Sequence, residues 1–394
     1  MINIVNKVEC CGCEACYNVC PKNCIEMKSD EEGFLYPRVN QDTCINCGLC
    51  EKVCPIINHV PREKNDNQEA YLMQHNDDEI CRQSTAGGAF TGIASYVIEK
   101  GGIVFGVEMT EDYKVRHTSA ETIEELEKFR NSKYVQSRIG TVFQQVKREL
   151  SKGRMVCFSG TPCQVEGLRH FLGKDYENLI LVDVVCRAVP SPGVWEKYIK
   201  YEVEQKGEIS SVRFRDKTLG YQYSTMELKS KVEKTYRGGI ESQPWLRMFF
   251  SGMIIRPSCT DCIFRSRYRN SDFTIWDCFN SYEFDKSFNE RKGTTRVLVH
   301  SEKGRVILEE IKKDYYVSEI NADYAVSGVA EMVVSPQCNE RKNEFFDYYS
   351  STQFNEILNM FFPSTVKVQV KRLLRRILSF LRLDVLVKKI LKRG

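Results

Sequence analysis

Apolar and polar positions repeat with two different periods along the chain, and each period predicts its own kind of element. From residue 70 onward, apolar runs of strand length alternate with amphipathic stretches of helix length. Strands are predicted at 103–109, 154–158 and 179–185, and helices at 86–100, 140–150, 162–172 and 192–205. This alternation predicts an α/β layer with a mainly parallel sheet.

Two shorter stretches have the pattern of antiparallel pairs. Residues 25–27 and 34–36 flank the turn sequence DEEG at 30–33, which predicts a β-hairpin. Residues 209–215 and 221–229 predict a second antiparallel pair. We therefore expect a β-rich part to be inserted beside the α/β layer.

The first predicted hairpin separates two copies of one cysteine pattern, C-x2-C-x2-C-x3-C-P. Thiolates at this spacing can ligate one face of an iron–sulfur cube, and the fourth cysteine of such a run ligates the other cube. We therefore predict two [4Fe-4S] clusters, one held by Cys10, Cys13, Cys16 and Cys54 and the other by Cys44, Cys47, Cys50 and Cys20. Zinc is the alternative, but a zinc ion takes four ligands, and eight in this doubled register fit two cubes better.

Four further cysteines favour a third cluster. Cys163 stands in the first turn of a predicted helix, directly after a strand, and Cys186 ends the next strand. In an α/β sheet both would lie at the carboxyl edge, where ligands gather. Together with the C-x2-C pair Cys259 and Cys262, they can hold a [4Fe-4S] cluster; zinc and simple burial as small apolar side chains are the alternatives. The remaining cysteines fit no register: Cys11, Cys24, Cys81, Cys157, Cys278 and Cys338.

Two predicted helix starts have residues suited to phosphate. Residues 84–90 (STAGGAF) offer hydroxyls and bare backbone N–H groups, and Thr161 precedes a proline at the first helical position. Ordinary capping and close packing are the alternative interpretation. Neither start matches G-x-G-x-x-G or G-x4-G-K-[ST], which disfavours a nicotinamide site of the dinucleotide-binding fold.

A basic and aromatic segment follows at 131–137. Lys133 could pair with a phosphate and Tyr134 could stack on a ring, or both could belong to a solvated loop. The five histidines form no ligand pair, and no serine or cysteine has the setting of a hydrolytic nucleophile. We therefore do not expect a hydrolase.

The length of 394 residues allows two or three domains with a full core. The first residues contain no apolar run of signal-peptide length. The eighteen cysteines therefore indicate metal or redox work in a reducing, cytoplasmic setting. Exposed clusters would indicate an organism that lives with little oxygen. No uninterrupted apolar run is long enough to cross a bilayer.

Positive charge is concentrated near the end of the sequence. The net charge is +4, but residues 366–393 contain ten Lys or Arg and one Asp, so the rest of the chain is mildly acidic and no nucleic-acid partner is expected. An amphipathic helix is predicted there, and we favour its binding to the anionic inner surface of the membrane. Packing on an acidic partner protein or on the core of this protein is the alternative. The apolar face of this helix is predicted to carry Val370, Leu373, Leu374, Ile377, Leu378, Leu381 and Val385.

Several of these pieces occur in an order that resembles one family. The order is STAGG at 84–88, SKYVQS at 132–137, GTPCQ at 160–164, Cys186 before VPSP at 189–192, and the pair Cys259 and Cys262. It resembles the family of coenzyme F420 hydrogenase/dehydrogenase β-subunits, here with a two-cluster ferredoxin module in front. The resemblance covers about residues 1–340.

The resemblance implies FAD and, commonly, one [4Fe-4S] cluster in the core, held by Cys163, Cys186, Cys259 and Cys262. It implies an electron donor or acceptor protein, either a ferredoxin or a redox subunit, and a small-molecule substrate. Arg187 and Lys133 are the predicted catalytic residues, steadying a reduced flavin or an acidic substrate. The flavin pocket implied by the resemblance is lined by Ser84, Thr85, Gly87, Gly88, Ala89, Phe90, Lys133, Tyr134, Gln136, Ser137 and Thr161.

Two departures from the family pattern leave the substrate open. The sequence reads CRA at 186–188, where the family often has CHG, and DFTIWDCFN at 272–280, where the family tends to carry a GDFWG motif. Both positions are expected near the flavin and its cluster, so the molecule reduced or oxidised can differ from F420.

These observations predict an α+β or α/β multidomain chain that acts as an iron–sulfur flavoprotein oxidoreductase. A non-catalytic electron-carrier subunit of a larger redox complex is the alternative. A two-cluster ferredoxin-like module is followed by a mixed α/β flavin-binding core and a C-terminal amphipathic helix. The predicted boundaries are 1–57 for the ferredoxin-like module, 58–69 for a linker, 70–152 and 153–340 for the two parts of the core, and 341–394 for the helical tail.

Overall fold

The computed structural model describes residues 1–64, 68–381 and 383. The strands are β1 (Ile25–Ser29), β2 (Leu35–Val39), β3 (Glu69–His75), β4 (Ile103–Met109), β5 (Val115–Ala120), β6 (Val156–Gly160), β7 (Leu179–Val184), β8 (Ile209–Asp216), β9 (Thr225–Ser230), β10 (Thr235–Gly239), β11 (Phe273–Cys278), β12 (Thr294–Val299) and β13 (Tyr315–Ile320). The helices are α1 (Ala15–Val19), α2 (Leu49–Lys52), α3 (Asp78–Gln83), α4 (Ala89–Glu99), α5 (Val142–Ser151), α6 (Pro162–Leu172), α7 (Pro192–Lys206), α8 (Pro244–Phe250), α9 (Glu302–Ile311), α10 (Ala322–Val326), α11 (Ala330–Val333), α12 (Lys342–Tyr349), α13 (Phe354–Phe361) and α14 (Val366–Phe380). Within the described part of the chain, no helix is long and apolar enough to cross a membrane.

The N-terminal module is built on the predicted hairpin. β1 and β2 pair antiparallel, with Ile25 opposite Val39. The two short helices α1 and α2 each begin after a left-handed residue, Glu14 at φ 58° and Gly48 at φ 72°. The antiparallel pairing of β1 and β2 confirms the predicted hairpin between the two cysteine loops.

The core contains one eight-stranded sheet with the order β13-β3-β12-β11-β7-β6-β4-β5. Its centre, from β11 through β7 and β6 to β4, is parallel, as the alternation of helices and strands predicted. The strands on both sides pair antiparallel, so the expectation of a mainly parallel sheet is correct only for the centre. The connection from β4 to β5 shows why: it is a short turn, which can join only antiparallel neighbours.

Both faces of this sheet are covered. α4 and α9 contribute to the core on one face, with Ile93 and Leu308 fully buried. α5 and α6 cover the other face, where Phe143 and Leu168 pack with Cys13 of the N-terminal module. The N-terminal module therefore shares a hydrophobic core with the sheet, and the predicted boundary at 152/153 separates α5 and β6 of this one layer.

The predicted antiparallel pair at 209–229 is confirmed as β8 and β9, to which the structure adds β10 as a third strand. β10 was not predicted because its sequence, TYRGG, has weak apolar alternation. This small sheet packs with α7, α8, α12 and α13 around an aromatic core. Its largest buried side chains are Trp195 and Trp245, whose ring centroids lie 4.9 Å apart.

Polar contacts attach the first module and the predicted linker to the core. The buried carboxylate of Glu14 accepts hydrogen bonds from the backbone N–H groups of Ile139 and Gly140, at 3.0 and 3.1 Å. In the predicted linker, Arg62 donates to the carbonyl oxygen of His300 at 3.2 Å. Residues 65–67 of that linker, and Val385 of the predicted tail face, lie outside the described residues.

Candidate redox site

The cysteines of the N-terminal module converge in two groups. Cys20, Cys44, Cys47 and Cys50, the thiols predicted for the second cluster, line one small pocket together with Cys24. Burial, together with the nearby charges of Cys10 and Cys54, raises the pKa of the Cys16 thiol, which shows that these three lie close together. Cysteines from both runs therefore meet, as the crossed assignment requires.

Four cysteines of the core also come together. Burial raises the pKa of Cys186, and the charges of Cys259, Cys163 and Cys262 raise it further. The sequence folds this way because the VPSP segment pairs with the segment before Cys259: the backbone N–H of Ser191 donates to the carbonyl oxygen of Ile254 at 2.9 Å. The end of β7 and the C-x2-C loop are thereby held side by side.

These donor sets consist of thiols alone. A [4Fe-4S] cube takes one thiolate on each of its four irons, so such sets fit it chemically. Within residues 1–64, 68–381 and 383, no group of three or more Cys, His, Asp or Glu side chains could hold a single metal ion. Burial raises the pKa of Cys259, Cys186 and Cys262, and the nearby charges of Arg256, Arg265 and Arg269 offset part of that rise.

The first module and the core set are in direct contact. The thiol of Cys11, which no register predicted, interacts with those of Cys13 and Cys163. α6, which carries Cys163, comes so near that a Cβ added at Gly167 would lie 2.8 Å from the Cβ of Cys13. The cysteines predicted for the first and third clusters are therefore neighbours across the boundary between module and core.

Arg256 occupies this boundary and is fully buried. It donates to the carbonyl oxygens of Cys10 and Leu35, at 2.7 and 3.0 Å, and its guanidinium lies 4.3 Å from the centre of the Tyr36 ring. It also donates to the side-chain oxygen of Gln136 at 3.0 Å. Gln136, predicted as a flavin ligand, in turn donates to the carbonyl oxygen of Cys11 at 3.1 Å and so joins the two modules instead of lining a pocket.

A cavity of about 760 Å³ opens at the carboxyl edge of the sheet, within the usual range for small-molecule sites. Cys186 of the core cysteine set lies on its wall. Gly87 does not line it, because this residue packs on the sheet: an added Cβ would lie 2.1 Å from the carbonyl oxygen of Met73. Most of the predicted flavin residues do line the cavity: Ser84, Thr85, Gly88, Ala89, Phe90, Lys133, Tyr134, Ser137 and Thr161.

Side-chain hydrogen bonds tie the predicted motifs to one another. The backbone N–H of Ser132 donates to the hydroxyl of Thr85 at 2.7 Å. Gln164 donates to the hydroxyl of Ser137 at 2.9 Å. Segments that are distant in sequence therefore form one continuous wall of the cavity.

The two helix starts predicted to favour phosphate differ. α6 is closed by a capping box between Thr161 and Gln164, so its first N–H groups are already partnered. α4 begins after Gly88 at φ 84°, which has no side chain to cap it, but the N–H groups of Thr91 and Gly92 already donate to the Gly88 carbonyl and the Tyr315 hydroxyl. The start of α4 therefore offers an anion at most the N–H groups of Ala89 and Phe90.

Positive charge predominates on the cavity wall. Within the described chain, its charged residues are the cations Arg130, Lys133, Arg187, Arg215 and Arg296 and the carboxylates Asp277 and Glu331. Three buried donors on the wall have no hydrogen-bond partner among the described residues: Arg130 Nε, Arg215 Nη2 and Trp276 Nε1. Buried donors are normally satisfied, so the wall fits an anionic ligand rich in acceptors, as the diphosphate and ring system of FAD are.

The two predicted catalytic cations lie on the wall and are held by protein groups. Lys133 donates to the carbonyl oxygens of Lys128 and Arg130, at 2.7 and 2.9 Å, and burial lowers its pKa to about 7. Arg187 lies 3.3 Å from the carboxylate of Glu331 and stacks over a phenylalanine ring. Their predicted roles remain predictions.

Sequence reasoning missed a buried network on the same wall. Arg215 lies 2.8 Å from one carboxylate oxygen of Asp277, and Tyr221 donates to the other at 2.9 Å. Arg215 also donates to the phenolic oxygen of Tyr134 at 3.3 Å. The only sequence signal for this network is that Asp277 lies in the segment that departs from the family pattern. Arg215 lies in strand β8 of the small sheet and has no local signature.

Comparison with known proteins gives three matching family descriptions. Residues 70–144 match the N-terminal part, and residues 153–324 the C-terminal part, of the family described as "Coenzyme F420 hydrogenase/dehydrogenase, beta subunit". Residues 9–56 match "4Fe-4S dicluster domain". The two beta-subunit regions together cover more than half of the chain.

Among curated relatives, the F(420)H(2) dehydrogenase of Methanosarcina mazei has a subunit that is 23% identical over 182 residues, which are 44% of this chain and 51% of that protein. The coenzyme F420-dependent sulfite reductase of Methanocaldococcus jannaschii is 29% identical over 174 residues, 42% of this chain and 26% of that protein. The matched region thus spans about half the length of one relative and a quarter of the other.

Among solved structures, a chain of the F420-reducing [NiFe] hydrogenase complex from Methanosarcina barkeri aligns with a TM-score of 0.43 and 13% identity, over 76% of this chain and 93% of that one.

The two curated relatives are redox enzymes, and the matched dicluster domain accounts for the doubled cysteine run. This chain belongs to the family of coenzyme F420 hydrogenase/dehydrogenase beta-subunits, with a 4Fe-4S dicluster domain in front of the family's two parts.

Proposed function

We propose that this chain passes electrons between three [4Fe-4S] clusters and an FAD in the 760 Å³ cavity, and on to or from an organic substrate. One observation carries the proposal: Cys186 belongs to the converging set of core cysteines and also lies on the cavity wall. A cluster on these thiols would adjoin any ligand of the cavity, so the thiol sets would lead from the N-terminal module to the flavin.

When bound, the clusters would supply one-electron transfer and the flavin would couple it to a two-electron hydride step. The residues of the chain bind, orient and shield these groups. The first two N–H groups of α4 and the unpartnered donors Arg215 Nη2 and Trp276 Nε1 would hold phosphate and ring acceptors. Cys163 and Cys186 are partly exposed, and Cys186 lies on the cavity wall, so a bound flavin would shield that side of the cluster from water.

The charge of the wall favours an acidic substrate or a reduced, anionic flavin. Lys133 has a pKa of about 7. A nearby anion would raise this pKa, so that the amine of Lys133 would be fully protonated and positively charged. Arg187 adds a permanent charge beside the loop of Cys186. A deazaflavin-like molecule or another organic acid would meet these requirements.

Electrons would enter or leave through a redox protein at the N-terminal module. Cys47 is exposed, whereas Cys50 of the same set is buried. The second thiol set is therefore the one within close reach of a ferredoxin or a redox subunit.

Anaerobic purification with counts of iron, sulfide and flavin tests the composition. The proposal expects about twelve irons and one FAD per chain, and about eight irons in the variant Cys163→Ser, which removes one core thiol. Cys157→Ser is the matched control, because Cys157 is buried inside β6, away from the four thiols.

Other outcomes would contradict parts of the proposal. Eight irons in the wild-type protein would remove the core cluster, and zinc in place of iron would remove the redox role. A wild-type protein with twelve irons but no affinity for FAD would leave the electron-carrier subunit as the better account.

A further inference from the structure

Helix α14 (Val366–Phe380) contacts the body of the protein through its polar side. Arg372 and Arg376 both donate to the carbonyl oxygen of Arg237, at 3.3 and 3.0 Å. Arg375 lies 3.5 Å from the carboxylate of Glu241, and the buried hydroxyl of Ser379 donates to a loop carbonyl. The helix is thus held against the small sheet by its charged and polar residues.

The apolar side chains of α14 lie on the opposite side. With a turn of about 100° per residue, Val370, Leu373 and Ile377 point away from the residues that contact the body. Most members of this face are well exposed: Val370 48%, Leu373 59%, Leu374 54%, Ile377 44%, Phe380 86% and Leu381 54%. Leu378, also predicted for this face, is only half-buried at its border. The expectation that the helix could dock its apolar face on its own core is therefore wrong for the described residues.

We propose that the exposed face of α14, from Val366 to Leu381, lies on the surface of an anionic lipid bilayer. Every ionisable residue from 366 to 381 is basic, five in all, and Lys367 and Lys371 are exposed at the edge of the apolar face. An amphipathic helix with aliphatic and aromatic residues on one side and only cations on the other is the type that lies in a membrane interface.

The same charge pattern opposes a second copy of this chain as the occupant. Two α14 helices packed face to face would bring the Lys367 and Lys371 side chains of both copies to one apolar face, with no carboxylate in residues 366–381 to offset them. Anionic headgroups instead supply negative charge beside these two lysines. Because the polar side is bonded to the body, lipid binding would fix the orientation of the protein on the surface.

Flotation of the full-length holoprotein with vesicles tests this proposal. We expect it to float with mixed phosphatidylcholine–phosphatidylglycerol vesicles, to float far less with phosphatidylcholine alone, and to lose binding as salt rises. The double variant Leu373→Glu/Ile377→Glu should bind at least about tenfold more weakly, since it removes two apolar anchors and adds negative charge. Lys367→Glu/Lys371→Glu should weaken binding to the anionic vesicles selectively.

Val60→Glu is the matched control, because Val60 is an apolar residue of the predicted linker that is 76% exposed. Iron content and melting temperature of each variant confirm that it is folded. Equal flotation of wild type and the Leu373/Ile377 variant would overturn the proposal. So would a wild-type dimer in lipid-free solution that this variant dissociates, since a second copy would then cover the face.

Discussion

The guanidinium of Arg256 lies 3.5 Å from the sulfur of Cys10 and 2.7 Å from its carbonyl oxygen. Burial alone would lower the pKa of Arg256, but the charges of Cys10, Tyr36, Cys11 and Cys259 raise it above its ordinary value. A permanent cation is therefore buried between the thiols predicted for the first cluster and those predicted for the core cluster. Hydrogen bonds and charge near cluster sulfurs set reduction potentials, so this contact should be measurable.

Replacement of Arg256 by Met should lower the potential of the first cluster by about 60 mV or more. A hydrogen bond to a charged group contributes about 1.5 kcal/mol, and 59 mV corresponds to a tenfold change for one electron. Redox titration followed by electron paramagnetic resonance measures the shift. Arg256→Lys should restore part of it, and Arg116→Met, which removes an exposed cation of β5, should change nothing. Unchanged potentials in a folded Arg256→Met protein would show that the contact has no electronic effect.

Trp276→Phe should weaken FAD binding by about three- to tenfold without reducing stability. Its indole nitrogen has no partner within the described chain, so its loss costs the folded protein nothing, whereas a bound ligand loses one hydrogen bond of about 1 kcal/mol. Flavin titration monitored by fluorescence and thermal melting of the flavin-free protein separate the two effects.

Trp195→Phe gives the opposite pattern and is the control. The indole of Trp195 donates to the carbonyl oxygen of Tyr113 at 2.7 Å, away from the cavity wall. This variant should melt earlier and bind FAD normally once folded. If Trp276→Phe bound flavin as tightly as the wild type, the unpartnered donor would not face the ligand.

Lys133 should make the stability of the flavin-free protein depend on pH. Burial lowers its pKa to about 7, whereas in the unfolded chain it is near its ordinary value of 10.5. Between these two values the unfolded state binds one more proton, so the free energy of unfolding should rise with pH by up to about 1.4 kcal/mol per unit.

Denaturant unfolding of wild type and Lys133→Met isolates this effect. It is measured at pH 7, 8 and 9, within the window of about 7 to 10 set by these two pKa values. The difference between them should grow with pH in favour of the wild type, because contributions of all other groups cancel. Saturating FAD should flatten the difference if the flavin holds the proton on Lys133. Parallel curves without FAD would contradict the burial of the amine.

Cys11→Ala should leave the iron content unchanged. Cys11 adjoins the predicted ligand Cys10 and interacts with Cys163, yet it belongs to neither register. Iron analysis of Cys11→Ala beside Cys10→Ala compares two neighbouring thiols of which only one is a predicted ligand. Loss of about four irons from both proteins would mean that the ligand register is wrong at this loop.

Regular elements of the core could be predicted closely. Residues 103–109 and 162–172 were predicted as a strand and a helix with the bounds that β4 and α6 have, because both are framed by clear glycine and proline signals. The edge strand β13 could not be found in this way, because only one of its six residues is buried and its apolar alternation is weak.

The candidate site was predictable where its residues share a motif. Thr85, Lys133 and Thr161 lie in short strings whose order indicates the family, and all three line the cavity. Arg215 and Arg256 were not predictable, because their roles depend on partners 62 and 246 residues away. The direction in which α14 faces was likewise open, because periodicity defines an apolar face but not what covers it.

The central claim, that clusters and flavin form one electron-transfer unit, is tested most directly by an anaerobic reductive titration of the FAD-loaded protein. Absorbance and electron paramagnetic resonance should show about five electrons taken up per chain, one for each of three clusters and two for the flavin. A colourless protein that contains zinc, or clusters that take up electrons while the bound flavin stays oxidised, would contradict it.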